Sequence, residues 1–100
     1  MHKELIWSPL ADDDLNNILE YLLSNWASAV AENFIDLIDN NIERVISNPR
    51  QFPLVYKTRK YRKCVITKHN TLYYKELDNS IMILRIFDTR QSPRKLKLNL

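Results

Sequence analysis

The stretch RIFDTRQSPRKLK, residues 85 to 97, sets five cations around the end of an apolar run: Arg85, Arg90, Arg94, Lys95 and Lys97. Asp88 alone balances them. Clustered guanidinium groups hold phosphate or carboxylate in bidentate fashion, and a basic concavity raises the local concentration of polyanions. The chemistry on offer is anion binding. Groups that move protons are fewer. His69 stands in the turn-like Lys68-His69-Asn70 and has the right chemistry for proton transfer near neutral pH, although a solvated turn histidine is the simpler account. His2 lies at a terminus and carries no signal. Tyr73 and Tyr74 are neighbours in a strand-like run, so they face opposite ways and read as packing residues. Cys64 would need a depressed pKa to act as a nucleophile, and it reads as a small buried filler. No metal-ligand spacing is present, and no metal is expected.

The composition bounds what such residues can belong to. A chain of 100 residues, 45% of them hydrophobic, builds one core, so residues 1–100 are read as a single domain. The net charge of +3 conceals a division. Residues 1–50 hold three basic groups against nine acidic ones, a net of −6, whereas residues 51–100 hold twelve against three, a net of +9. That asymmetry points to a face for polyanions or acidic partners. With one cysteine the chain can form no internal disulfide or thiolate cluster, which favours a reducing compartment. Glycine is absent, which removes the phosphate loop and the dinucleotide fingerprint, so no cofactor is expected. The start MHKELIWSPLADDD lacks a secretory pattern, and no run reaches the ~20 apolar residues of a membrane span. The expectation is a cytoplasmic protein without a membrane partner.

The elements that must position these groups follow from periodicity. KELIW at residues 3–7 reads as a short strand. Ser8 can cap a helix with Pro9 at its first position and acidic residues in its first turns. Leu15, Ile18, Leu19, Leu22 and Trp26 make one apolar stripe. Ser28 can cap a second helix, striped by Val30, Phe34, Leu37, Ile38, Ile42, Val45 and Ile46, which ends near Asn48 because Pro49 disfavours helix in the residue before it. Asp36, Asp39 and Glu43 lie off that stripe as a solvated face. NPRQFPLVYKTRK reads as a surface loop with Phe52 available to pin it. Tyr61–Thr67, Thr71–Leu77 and Ser80–Asp88 are then three antiparallel strands with turn-like links. The last, apolar on both faces, is expected to be central, with one face on the helices and the other covered by something else.

The motifs W-S-P-L-A-x-x-D-L-x-x-I at the first helix, N-P-x-x-F-P after the second, L-Y-Y in the middle hairpin and I-L-R-I-F-D-T-R-Q-x-P at the end give the chain its resemblance to the RelE/ParE superfamily of bacterial toxins, the small partners of type II toxin–antitoxin pairs. The resemblance spans nearly the whole chain. It implies an α+β fold with an N-terminal strand and an antiparallel helical hairpin, the hairpin packed on one face of a curved, mainly antiparallel four-stranded sheet, in the order β-α-α-β-β-β. It also implies that the opposite face is concave, basic and masked by a partly acidic antitoxin. RelE-like members cut mRNA on the ribosome, whereas ParE-like members poison DNA gyrase.

Arg62 and Arg90 fall where the nuclease members place basic residues, while Cys64, Thr71 and Leu96 stand where that set calls for cationic or proton-transfer groups. The resemblance therefore favours the ParE-like subgroup: a growth inhibitor that binds DNA gyrase and is neutralised by a cognate antitoxin. The alternatives are a RelE-like ribosome-dependent mRNA endonuclease, with Arg62, Arg90 and His69 as its catalytic candidates, and a degenerate toxin that binds only its antitoxin. Arg62, Arg85, Asp88, Arg90 and Arg94 are expected to bind the target, and Ile81, Ile83, Arg85 and Phe87 the antitoxin. Arg85 has a structural alternative, pairing with Glu76 across the hairpin. The segment past Pro93 is expected to be mobile.

Overall fold

The computed structural model describes residues 3–56, 60–96 and 98. Strand β1, Glu4–Trp7, leads into helix α1, Pro9–Asn25, and helix α2, Ser28–Ser47. After a short 3₁₀ turn at Pro49–Gln51 come β2, Leu54–Tyr56, β3, Tyr61–Thr67, β4, Asn70–Glu76, and β5, Ser80–Asp88, and a second 3₁₀ turn at Pro93–Lys95 follows. The sheet runs β1-β5-β4-β3-β2, with β1 parallel to β5 and the other neighbours antiparallel. This is the expected α+β arrangement with five strands instead of four.

The added strand is β2, which falls in the segment read as a loop. Two features hide it: Pro53 stands directly before it, and its pairing with β3 is interrupted by a register shift between Leu54 and Tyr56. Three residues at a sheet edge are too few to show a period of two.

The start of α1 follows local chemistry, and the start of α2 does not. The Ser8 Oγ accepts the amide of Ala11 at 3.0 Å, as predicted. The cap of α2 is Ala27, not Ser28, and it makes no side-chain cap bond. The helix ends at Ser47 with Asn48 as its C-cap, directly ahead of Pro49.

Two apolar layers result. Between helices and sheet lie Phe34, Ile38, Ile42 and Val45 of α2 against Cys64, Leu72, Tyr74, Ile81, Ile83 and Ile86. On the other face Tyr61, Tyr73, Leu84 and Phe87 form a smaller cluster closed by Leu98, which is only 4% exposed. The cover expected over the outer face of β5 is thus the chain's own tail, with Leu96 packed beside it. The expectation of a mobile tail is corrected at these two residues, while Lys97 lies outside the described residues.

Strand β5 carries the feature that organises the site. Tyr73 pairs with Arg85 but Tyr74 pairs with Ile83, so Leu84 is an extra residue, a β-bulge in the interior of the sheet. A bulge leaves backbone groups without ladder partners, and α1 supplies them. The Ser8 Oγ donates to the Leu84 carbonyl at 2.8 Å, and the Asp14 carboxylate accepts the Ile86 amide at 3.0 Å.

Candidate functional site

A cavity of about 390 Å³ opens between α1 and the end of β5. Helix α1 delivers Asp14, Asn17 and Tyr21 to it at spacings of three and four residues, which place them on one face. The sheet supplies Arg85, Asp88 and, just beyond it, Arg90. Ile18, Leu22, Ile86 and Phe87 add apolar wall.

Two arginine–aspartate pairs hold the polar groups. The Arg85 guanidinium donates to both oxygens of Asp14, at 2.7 and 3.0 Å, with side chains only 14% and 15% exposed. The Asp14 carboxylate holds the Arg85 pKa above its ordinary value. Arg90 donates to both oxygens of Asp88, at 3.0 and 2.8 Å, and its backbone amide adds a third bond at 2.9 Å. Here the exposures are 64% and 27%. The Arg90 hydrogen bond pulls the Asp88 pKa below the usual carboxylate value, against a smaller opposing effect of burial. His69 sits at this end of the sheet: its carbonyl accepts the Thr89 amide at 2.8 Å, and its ring adds to the lowering at Asp88.

A second cavity, of about 510 Å³, involves Lys3, Arg50, Lys60, Arg62 and Glu76. Glu76 takes Lys3 at 2.9 Å and Arg50 at 3.1 Å, and the first of these contacts depresses its pKa most. Arg62 donates to the backbone carbonyls of Phe52 at 2.6 Å and Arg50 at 3.3 Å, so it clamps the segment before β2 onto the sheet. Arg44 lies over the Phe52 ring, which meets Tyr74 edge-on.

These contacts decide where the residues singled out from sequence fall. His69, Asp88 and Arg90 come together at one end, with Arg85 beside them. Arg62 does not join them: it is opposite Tyr74, itself opposite Ile83, five residues along β5 from Asp88. At ~3.3 Å per strand residue that is roughly 16 Å along the strand alone. Arg94 is exposed on the tail. Ile81 and Ile83 are fully buried beneath the helices, which corrects their expected place on a partner-facing surface. Phe87 is on the opposite face but 6% exposed, in the cluster that Leu98 closes. Arg85 pairs with Asp14 and not with Glu76, because it stands opposite Tyr73, three residues along β4 from Glu76, whose own partner on β5 is Ile81. Cys64 is buried, and burial raises its thiol pKa, as befits a filler.

Sequence reasoning gave no role to Asp14, Asn17 or Tyr21. One signal was available: Asp14 is the aspartate of W-S-P-L-A-x-x-D, six residues after Ser8, on the side of α1 that faces β5. Among the described residues no three His, Cys, Asp or Glu side chains are placed to hold a metal ion, and no helix is long and apolar enough to cross a membrane.

Comparison with known proteins bears on the whole chain. The structure is similar to that of the chromosomal ParDE toxin–antitoxin system of P. aeruginosa, with a TM-score of 0.72 and 17% identity over 87% of this chain and 96% of that one. The YoeB dimer of Staphylococcus aureus gives 0.63 and 17% over 87% and 97%. The E. coli DinJ–YafQ toxin–antitoxin complex gives 0.64 and 13% over 90% and 96%. At these identities the likeness concerns the fold. Curated protein sequences give no match. The sequence profile of the ParE toxin of the type II toxin–antitoxin system parDE matches residues 5–93, from the first strand to the turn beyond Arg90, and the chain therefore belongs to this toxin family of the RelE/ParE superfamily.

Proposed function

We propose that this toxin arrests bacterial growth by binding DNA gyrase through the cavity at the end of β5, and that a cognate antitoxin neutralises it. The separation of Arg62 from Arg90 carries this reading. A ribonuclease needs its phosphate-holding cations and its proton-transfer group around one scissile bond. Here Arg62 is committed to two backbone carbonyls and borders a different cavity from Arg90. A cavity with an apolar wall and a largely exposed arginine at its mouth suits a protein partner's acidic segment. Solved relatives that are toxin–antitoxin complexes support the antitoxin partner.

One observation favours the mRNA endonuclease reading: His69, Asp88 and Arg90 share one end of the sheet. Expression of the chain alone separates the two. The gyrase reading expects DNA breaks that disappear in a host with a toxin-resistant gyrase, together with inhibition of supercoiling by the purified chain. Cleaved ribosome-bound mRNA with intact DNA would overturn it.

A further inference from the structure

The division of charge between the halves of the chain becomes a division between two faces of the molecule. On α2, Glu32, Asp36, Asp39 and Glu43 follow at spacings of four, three and four, which makes one exposed row opposite the buried Phe34, Ile38, Ile42 and Val45. Among the described residues none of the four has an ion-pair partner. Ile35, 39% exposed, flanks the row on the same helix. The far side of the sheet is the opposite in sign. Lys63 and Lys75 alternate there with Tyr61, Val65 is 63% exposed, and the tail brings Arg94 and Lys95 over the same side through Leu96 and Leu98. Glu76, the one carboxylate of β3 and β4, is turned away into its pairs with Lys3 and Arg50.

We propose that, without another partner, copies of this chain associate head to tail, the acidic apolar helical face of one on the basic sheet face of the next. Each copy carries both halves of the contact, so a second copy is complementary in charge to either face. Packing like faces together would set four carboxylates against four carboxylates, which excludes a two-fold arrangement through this surface. A heterologous contact leaves one face free at each end, so the assembly grows with concentration instead of stopping at two. The inference is independent of the cellular target.

Sedimentation velocity on the chain made by cell-free synthesis tests it. The mass should rise above the 12.0 kDa of one chain with concentration at ~0.05 M salt, and the association should weaken roughly tenfold or more by ~0.5 M as screening sets in. Two triple variants at exposed positions sharpen the test: Asp36→Lys with Asp39→Lys and Glu43→Lys, and Lys63→Glu with Arg94→Glu and Lys95→Glu. Each alone should remain a folded single chain by circular dichroism and sedimentation. An equimolar mixture should associate again, because each variant keeps the face the other needs. A single-chain mass at all salts, association that survives either reversal, a salt-insensitive dimer, or a mixture that fails to recombine would each overturn the proposal.

Discussion

The same pair of side chains occurs twice within six residues of β5 and its exit, and the two copies differ in everything except geometry. Arg85 with Asp14 and Arg90 with Asp88 are both two-point guanidinium–carboxylate contacts of 2.7 to 3.0 Å. The first joins residues 71 apart in sequence and leaves about a seventh of each side chain exposed. The second joins residues two apart, with most of Arg90 in water. Water screens the second pair and holds its net worth near zero, whereas loss of one member of the first strands a charge where water cannot repair it. One pair is a fastening between helix and sheet. The other is a cation that gives up little by exchanging its carboxylate for a partner's.

Asp14→Ala should show the largest effect. It strands the Arg85 guanidinium and removes the acceptor of the Ile86 amide at once, so chemical unfolding should report a loss of about 3 kcal/mol, and more than Arg85→Ala gives. Equal losses would mean that the amide at the bulge finds another acceptor. Next comes the double variant Asp14→Leu with Arg85→Met, which removes both charges and keeps volume. Its cost should fall short of the sum of the Asp14→Leu and Arg85→Met single losses by about 1–3 kcal/mol, and strict additivity in that double-mutant cycle would refute the coupling.

Glu76, 23% exposed and held by Lys3 and Arg50, stands between the two extremes. Its pKa is lowered below 4.5 in the folded chain, so its contribution is present above the unfolded value and is lost as pH falls through the folded one. Glu76→Gln should therefore cost no more than about 1 kcal/mol at neutral pH and converge on the wild type as pH falls through the lowered folded value, which denaturant titrations carried into acid would show. Arg90→Ala should be smallest in stability, with thermal unfolding unchanged, yet it should abolish growth arrest. A variant that keeps full toxicity would remove Arg90 from the target surface.

Much of this was legible in the chain because it is local. Ser8 followed by Pro9, Asn48 followed by Pro49, and the β-branched runs of β3 and β5 each declare an element through chemistry within a few residues. What could not be read was set by distant neighbours. Strict alternation puts Ile81, Ile83, Arg85 and Phe87 on one face, and the bulge at Leu84 shifts the phase so that Phe87 parts from Ile81 and Ile83 and joins Tyr61 and Tyr73 on the outer face. Trp26 satisfied the helical period but lies at the C-cap of α1, beyond the reach of the sheet. The tail looked like polar linker because its cations outnumber Leu96 and Leu98, and only the apolar outer face of the sheet gives those two leucines a place.

The clasp of Ser8 and Asp14 on the bulge also dictates a timetable. Ser8 bonds Leu84 across 76 residues, Lys3 bonds Leu77 across 74, and β1 gains its strand partner only from β5. Contacts so far apart in sequence slow folding, because chain entropy is spent before they form. During synthesis the first strand and helix emerge early but find their fastenings only when residues 77 to 88 have followed. Translation therefore releases a chain whose cavity between α1 and β5 closes only when the last strand has emerged, and a chain cut short before β5 never builds it.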